Sequence, residues 1–538
     1  MPTLDWIGKE KVINHHQAVP FRTLERQYSF DKDGQHKTDN NSENMIIHGD
    51  NLETLKALLP KYEGKIRCIY IDPPYNTGNE NWVYNDNVND PKIKKWLGEV
   101  VGKEGEDLSR HDKWLCMMYP RLKLLHRLLS DEGVIFISID ENELYNLKMM
   151  CDEIFSANNY LSVITRPTGT HTGIVNKAIV GESDFILVYV KRMEYAGIDG
   201  LPMSEKDTKI YDMQDEYGRF LIRPLRRTGG ENRREDRPNM YFPIEAPDGT
   251  QVYPIGPTGY ESRWICNPEG YQYFKSVNRI YWKQVSSNGV TKWQVYQKFY
   301  LEEKKKAVSN LWNDIEGNKK ATRDVRGIFV DMDFSFDFPK PVGLIEKIIQ
   351  IANDENAIIL DSFAGSGTTA HAVLNINKQD GGNRKFILIE MGDYADDITA
   401  ERVKRVIQGY GNGKQKMSGT GGSFSYYELG IPLMNGENLN EEVGIEKIRE
   451  YIWYMETRKG YQNVADKHPY YLGEDNSTAY YFYYAPNKLC ILNHTFLSTI
   501  SQKADGYIIY ADKCVLSEDE LLKFGITFKK IPRDIQKL

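Results

Sequence analysis

The chain has 538 residues, 40% of them hydrophobic and 27% charged, which is the composition of a soluble globular protein with several domains. Its 69 Lys and Arg against 76 Asp and Glu give a formal net charge of −7, which excludes a uniformly basic nucleic-acid coat but not a local basic face. It has no apolar run of membrane-spanning length, no secretory signal and no C-x-x-C pair among its six Cys, so we expect a cytoplasmic protein with no membrane partner and no metal site.

Predicted strands and helices alternate along the first part of the chain. Hydrophobic periodicity predicts a strand and turn at 45–51, a helix at 52–62, a strand at 66–71, a helix at 112–129 and a strand after Gly133. Strand, helix and strand at this spacing are typical of α/β layers around a parallel sheet. We therefore expect an α/β domain that begins at residue 45, after an N-terminal arm of residues 1–44.

The pattern is interrupted between 164 and 330, where Arg, Gly, Pro, Asn and aromatic residues are frequent and periodicity is weak. It resumes with a predicted helix at 339–352, a strand at 357–361, a glycine turn that opens a helix, a strand at 384–391 and a helix at 396–410. We interpret 164–330 as a module inserted between the two halves of the α/β domain, 45–163 and 331–417. Residues 418–538, with one predicted helix and several aromatic strands, would form a small α+β C-terminal domain.

A glycine-rich turn follows the predicted strand at 357–361. It reads Asp361-Ser362-Phe363-Ala364-Gly365-Ser366-Gly367-Thr368-Thr369, and Glu390 ends the next strand, 25 residues after Gly365. Glycines in such a turn let a ligand approach the backbone, and an acid on the following strand suits the two hydroxyls of a ribose. The missing third glycine disfavours a dinucleotide site, and the missing Lys disfavours a phosphate loop. The motif is therefore either a nucleoside site or a structural turn between strand and helix.

The strand at 66–71 ends in Asp72-Pro73-Pro74-Tyr75. Two prolines fix two φ angles and remove two N–H donors, so they form a rigid elbow at the carboxyl end of a buried strand. The elbow directs a carboxylate, a carbonyl and an aromatic ring into the crevice where α/β folds bind ligands. A strand-terminating turn with a surface acid is the alternative, but this combination of groups on a rigid backbone favours a functional site.

Together the two motifs resemble those of methyltransferases that modify exocyclic amino groups of DNA bases, [DNS]-P-P-[YFW] for catalysis and F-x-G-x-G for the cofactor. The catalytic motif comes first and the cofactor motif last, an order similar to the β class of these enzymes. The chain also resembles, over nearly its whole length, the Mod subunits of type III restriction–modification systems. That resemblance rests on segments at 4–16, 47–51, 72–79, 311–315, 336–349, 421–430 and 531–535.

The resemblance implies a Rossmann-like methyltransferase fold that uses S-adenosyl-L-methionine, with a mostly parallel twisted sheet and a target-recognition domain at 164–330. Asp72 and the Pro73 carbonyl would accept the two hydrogens of an adenine N6 amino group. Tyr75, which follows Pro74, would stack on the base after it has been flipped out of the duplex. The aspartate form of the motif usually accompanies adenine, so cytosine N4 is the alternative target.

Cofactor residues are implied in the same way. The loop residues Asp361, Phe363, Gly365, Gly367 and Thr368 would line the cofactor, and three other side chains would contact its parts. These are Glu390 at the ribose, Asp50 at the cofactor adenine and Lys340 near the methionine carboxylate. For Lys340, a solvated lysine at the start of a helix is the alternative.

The insert concentrates positive charge. Seven arginines lie within the 19 residues from 219 to 237, and aromatic residues follow them. The planar Arg fork suits phosphates and guanine edges, although most such contacts are to phosphate. The candidate DNA contacts are Arg223, Arg226, Arg227, Arg233 and Arg234. A solvated loop is the alternative.

These features predict a site-specific methyltransferase that transfers a methyl group to adenine N6 in double-stranded DNA. By resemblance the chain would form a homodimer and could partner a Res helicase–nuclease subunit. Two other functions stay open, a cytosine-N4 methyltransferase and a DNA-binding specificity subunit without its own catalysis.

Overall fold

The computed structural model describes residues 3–77, 91–100, 109–169, 181–198, 200–201, 203, 205–287, 290–301, 305–332, 336, 338–413, 416–464 and 468–533. Five positions of the segments quoted above lie outside these residues: Gly78, Asn79, Asp337, Asp534 and Ile535.

Ten strands form the main sheet. They are β1 (Arg22–Asp31), β2 (Gly34–His36), β3 (Met45–His48), β4 (Ile66–Ile71), β5 (Leu129–Ile139), β6 (Tyr160–Pro167), β7 (Ser183–Val190), β8 (Ile358–Asp361), β9 (Lys385–Glu390) and β10 (Ser423–Pro432). Their order across the sheet is β2-β1-β10-β3-β9-β8-β4-β5-β7-β6. Neighbours from β10 to β5 are parallel, and the strands added at both edges are antiparallel. The predicted α/β fold with a mostly parallel sheet is confirmed.

Five helices accompany these strands, namely α1 (Asn51–Tyr62), α2 (Arg110–Leu128), α3 (Val342–Ala352), α4 (Thr368–Asp380) and α5 (Glu401–Gln408). The first two begin at side-chain caps. The Asp50 side chain caps α1, and Ser109 and Asp112 form a capping box at the start of α2. The apolar faces of α1 and α2 pack with side chains of β4 in the main core. Other helical elements of this part include Lys9–Val12, His15–Ala18, Pro91–Val100, Leu144–Cys151, Asn318–Ile328 and two π-helical turns, Asp152–Ser156 and Ala395–Ala400.

The pairing of β1 with β10 is not predicted by the sequence. The two strands run antiparallel, with Phe30 opposite Phe424. β1 is rich in polar residues, and its partner lies almost 400 residues away, so neither strand has a strong local signal. Part of the predicted N-terminal arm and the first strand after residue 418 therefore belong to the main sheet.

Contacts divide the chain into two compact units, Met1–Ile198 with Ser309–Leu538, and Asp199–Val308. The second unit is shorter at both ends than the insert expected at 164–330. It begins later because β6 and β7 extend the main sheet, and residues from Ser309 onwards belong to the first unit. It contains an antiparallel sheet in the order Ile280–Ser287, Val290–Tyr300, Gly218–Pro224, Met213–Asp215, a hairpin of Ile244–Glu245 with Gln251–Val252, and helices at Glu205–Thr208 and Pro268–Ser276. Leu225, Trp264 and Val295 lie in its own small core.

The C-terminal segment combines a helix with a separate sheet. The helix is Ile445–Thr457, and the strands, in sheet order, are Tyr471–Asp475, Thr478–Phe482, Gly506–Ala511 and Ile526–Lys530. Short helices occur at His494–Leu497 and Glu518–Lys523. In the part of the chain that the structure describes, no helix is long and apolar enough to cross a membrane.

Candidate active site

Four acidic side chains lie at the carboxyl ends of neighbouring strands of the main sheet, which form one edge of that sheet. Asp50 follows β3, Glu390 ends β9, Asp361 ends β8 and Asp72 follows β4. These four strands are neighbours and run parallel, so their carboxyl ends meet at the same edge. Ligands of open α/β sheets bind at this edge. The sheet thus brings the predicted elbow and the predicted glycine loop together.

The Asp72 carboxylate is buried against a lysine. Both of its oxygens accept hydrogen bonds of 2.7 Å from Lys340 Nζ, and the two side chains are 9% and 8% exposed. The same ammonium lies 4.8 Å from the centre of the Tyr75 ring. One cation therefore contacts the carboxylate and the aromatic ring of the elbow.

Side chains of helix α2 form hydrogen bonds that support the elbow. The fully buried Trp114 donates from Nε1 to the Pro74 carbonyl over 2.6 Å. The next residue after the elbow, Asn76, has a left-handed φ of 58°, and its side chain donates to the buried carboxylate of Glu143. His111 binds the same carboxylate at 2.6 Å. Sequence reasoning missed Trp114 and Glu143, since neither has a motif and both are distant from the elbow along the chain.

The glycine loop folds around Glu390. Gly365 and Gly367 have φ values of 51° and 79°, and a Cβ at Gly367 would lie 3.0 Å from the Thr399 carbonyl oxygen. Only glycine adopts this conformation at little cost. The Gly365 N–H donates to Glu390 Oε2 and the Gly392 N–H to Oε1, each over 2.8 Å. Burial raises the pKa of Glu390 to about 7.

Asp361 shapes the loop from inside. Its Oδ1 accepts from the Phe363 N–H over 3.0 Å, and its Oδ2 accepts from the Thr369 hydroxyl. Burial raises the pKa of Asp361 to about 7. Both oxygens hold the loop, while the half-buried Phe363 ring packs against the main core.

A buried arginine lies beneath the loop. Arg402, on α5, donates to the Ser366 hydroxyl over 2.8 Å and to the Thr368 hydroxyl over 2.9 Å. Its second nitrogen lies 3.3 Å from His371 Nδ1, and burial lowers the pKa of the guanidinium to about 10. Sequence reasoning missed this residue, because one Arg in an amphipathic helix has no signal of its own.

Lys340 contacts both the glycine loop and the elbow, whereas Asp50 lies at the start of α1. The Lys340 carbonyl accepts from the Thr368 hydroxyl over 3.4 Å, so its backbone contacts the glycine loop while its ammonium binds the elbow. The Lys340 side chain is buried, which excludes the solvated alternative. Asp50 accepts from the Glu53 N–H through Oδ1, and its Oδ2 lies 3.9 Å from Arg121.

A cleft opens at this edge of the sheet. It is lined by residues of the elbow, the glycine loop and the 336–340 segment. Among the described residues, several buried atoms of this region have no hydrogen-bond partner, including Asn51 Oδ1, Ser362 Oγ and Tyr75 Oη. Buried polar atoms are normally satisfied, so these atoms and the Glu390 carboxylate fit a polar ligand.

The second unit carries the five candidate arginines on and after its strand Gly218–Pro224. Arg223, Arg227, Arg233 and Arg234 are exposed and Arg226 is half-buried. The Arg234 guanidinium binds Glu261 at 2.7 Å and stacks on Tyr241, and Arg233 lies over the Tyr260 ring. The unit therefore displays several arginines, of which Arg234 already has an acidic partner.

The chain is similar in sequence to several known proteins. A family model described as a DNA methylase matches residues 66–401, more than half of the chain. The EcoPI Mod subunit of a type III restriction–modification enzyme, from Escherichia phage P1, is 33% identical over 430 residues, 72% of this chain and 63% of that one. The type II methyltransferase M.KpnI of Klebsiella pneumoniae is 35% identical over 367 residues, 65% of this chain and 81% of that one.

A solved DNA modification methylase of Thermus thermophilus, complexed with S-adenosyl-L-methionine, is 14% identical, with a TM-score of 0.31 over 72% of this chain and 99% of that one. So low a score adds nothing to the fold described above. The chain spans less than two thirds of the EcoPI Mod subunit.

Proposed function

The chain belongs to the DNA methylase family, as its resemblance to type III Mod subunits predicted, and we propose that it methylates adenine N6 in duplex DNA. The observation that carries the proposal is that Asp72 of the elbow and the glycine loop line one cleft at the carboxyl ends of neighbouring parallel strands. S-adenosyl-L-methionine, bound in that cleft, would supply the methyl group from its sulfonium.

The elbow would activate the target amino group. An adenine N6 lone pair is delocalised into the ring, so the nitrogen is a poor nucleophile until acceptors bind its two hydrogens. Asp72 supplies one acceptor, and the Pro73 carbonyl supplies the second, since the Pro74 carbonyl already accepts from Trp114. Acceptors fixed before the reaction stabilise positive charge as it develops on nitrogen. Tyr75 would stack on the flipped base.

Different residues at the sheet edge would contact different parts of the cofactor. Glu390, fixed by two backbone N–H groups, would accept from the ribose hydroxyls. Asp50 would contact the cofactor adenine through its second oxygen, because Oδ1 caps α1. Phe363, Gly365, Gly367 and Thr368 would line the bound molecule, with Asp361 holding the loop in shape.

Partners follow from the same family. The exposed arginines of the second unit would contact duplex DNA, mostly at phosphates. The EcoPI relative is a Mod subunit of a type III enzyme, so we propose that this chain also acts in such a system, as a homodimer in the cytoplasm with a Res subunit.

The test is nucleoside analysis of DNA methylated by the purified chain. Incubation with S-adenosyl-L-methionine should yield N6-methyladenine, and Asp72→Ala should abolish it while cofactor and DNA binding persist. Glu437→Gln, an exposed acid remote from the elbow in sequence, is the matched control and should methylate normally. N4-methylcytosine would make the chain a cytosine enzyme. DNA binding without any methylated base would make it a specificity subunit, and either result refutes the proposal.

A further inference from the structure

Lys340 occupies the groups that the proposed reaction assigns to the target base. Its ammonium donates to both oxygens of Asp72 and lies over the Tyr75 ring. A flipped adenine needs the same carboxylate for its amino hydrogens and the same ring for stacking. An ammonium and an amino group are both nitrogen donors, so in this structure Lys340 stands where the base amino group would stand.

The Lys340 backbone is fixed and its side chain is the movable part. Pro341 restricts the backbone of Lys340 before it, the preceding Pro339 has a fixed φ, and Phe338 has a left-handed φ of 54°. The Thr368 hydroxyl bonds to the Lys340 carbonyl, so the residue is attached to the glycine loop. A lysine side chain has a flexible four-carbon stem. The ammonium can therefore turn towards the loop without movement of the main chain.

The charges near the pair give that movement a cause. The Asp72 carboxylate is buried and interacts unfavourably with the buried Asp361, so a cation is needed beside it when the site is empty. The proposed cofactor has a carboxylate on its amino-acid part and a positive sulfonium. Bound at the loop, it would offer Lys340 a new anionic partner and would place another positive charge near Asp72.

We propose that Lys340 closes the base site while the cofactor is absent and, when the cofactor binds, transfers its ammonium from Asp72 to the cofactor carboxylate. This inference rests on the proposed function. It makes Lys340 a positioning residue that couples cofactor binding to base capture, and the coupling must act in both directions.

The first test measures binding by calorimetry, with no methyl transfer involved. S-adenosylhomocysteine contains the amino-acid part, and 5′-deoxy-5′-methylthioadenosine lacks it. Lys340→Met should weaken binding of S-adenosylhomocysteine about tenfold, within the usual range of coupling between sites, and leave methylthioadenosine unchanged. Asp72→Asn frees the ammonium and should tighten S-adenosylhomocysteine binding several-fold. If the ion pair were merely structural, S-adenosylhomocysteine affinity would change in the same direction in both variants or in neither. That result would overturn the proposal.

The second test measures base capture. DNA carries 2-aminopurine at the adenine that the wild-type chain methylates, and its fluorescence rises when the base leaves the stack. The wild-type chain should raise it only with S-adenosylhomocysteine, whereas Lys340→Met should raise it without any cofactor. A signal from Lys340→Met that still needs S-adenosylhomocysteine would overturn the proposal.

Controls separate this inference from the proposed function. Thermal unfolding shows whether Lys340→Met folds, because the change leaves Asp72 buried without its cation. If that variant does not fold, the binding of S-adenosylhomocysteine by Asp72→Asn tests the proposal. A wild-type chain that methylates DNA while both variants bind like wild type would defeat the inference alone. A wild-type chain that neither binds S-adenosylhomocysteine nor methylates DNA would defeat both.

Discussion

Glu390→Gln tests whether the acid at the end of β9 is buried as the structure places it. Burial raises the pKa of Glu390 from 4.5 to about 7, although backbone N–H groups, among them those of Gly365 and Gly392, favour its charged form. At about 1.4 kcal/mol per pH unit, this difference corresponds to about 3 kcal/mol. The folded chain thus prefers the protonated acid, and its ionisation costs stability.

The direction in which stability changes with pH follows from proton binding. Between pH 4.5 and about 7 the folded Glu390 holds its proton more tightly than the unfolded one, so the free energy of unfolding falls as pH rises through this window. Glutamine has no such titration. Its amide cannot accept from both Gly365 and Gly392, so at low pH the variant should be less stable by about 1–3 kcal/mol. Above the folded pKa the difference should vanish or reverse.

Urea unfolding of the cofactor-free chain, at several pH values on both sides of the folded pKa, measures this difference. Asp361 is present in both the wild type and Glu390→Gln, and burial raises its pKa in the same direction. The difference in unfolding free energy between the two proteins therefore reports on Glu390, apart from the interaction between the two acids. Glu437→Gln should differ from the wild type by the same small amount at every pH. A Glu390→Gln difference that stays constant, or grows with pH, would refute the burial argument.

Three further predictions concern the surroundings of the site and the basic unit. Trp114→Phe removes the donor to the Pro74 carbonyl, so it should cost about 1–3 kcal/mol in urea unfolding and lower kcat, with calorimetric cofactor affinity unchanged. Arg402→Met removes the common donor of two loop hydroxyls, and S-adenosylhomocysteine binding measured by calorimetry should weaken about tenfold. Arg227→Ala should reduce the salt dependence of duplex DNA binding by about one phosphate contact, whereas Arg234→Ala should have a smaller effect because its guanidinium already binds Glu261. Equal slopes for the two Arg variants in salt titrations would contradict that ranking.

The sheet edge was predictable because its strands are strongly apolar and their ends carry motifs. β4 is buried along its whole length and runs directly into Asp72, and β8 runs into Asp361 and the glycine loop. Hydrophobic pattern and turn chemistry agree at both places, so local sequence is sufficient there. The two motifs could be placed at one edge once the strands were taken as parallel.

The contacts between distant segments were not predictable. Lys340 is 268 residues from Asp72, and its sequence context gives only a lysine between two prolines. Trp114 has the same apolar periodicity as its neighbours in α2, so nothing distinguishes a donor to the elbow from a core residue. These roles depend on tertiary geometry, which periodicity does not encode.

The balance of charge at the sheet edge explains why a lysine belongs there. Backbone N–H and hydroxyl groups donate to Asp361 and Glu390, whereas Asp72 has an ammonium against both of its oxygens. A buried carboxylate without a counter-charge is costly. In the proposed reaction, the sulfonium of the cofactor would bring a second positive charge to this place. The ammonium and the sulfonium would then compete for Asp72, and the movement of Lys340 towards the loop removes that competition. Methyl transfer leaves a neutral thioether and moves the positive charge to the base nitrogen, which then releases a proton to solvent. Asp72 again needs Lys340 once that proton has left, which favours closure of the base site when the product leaves.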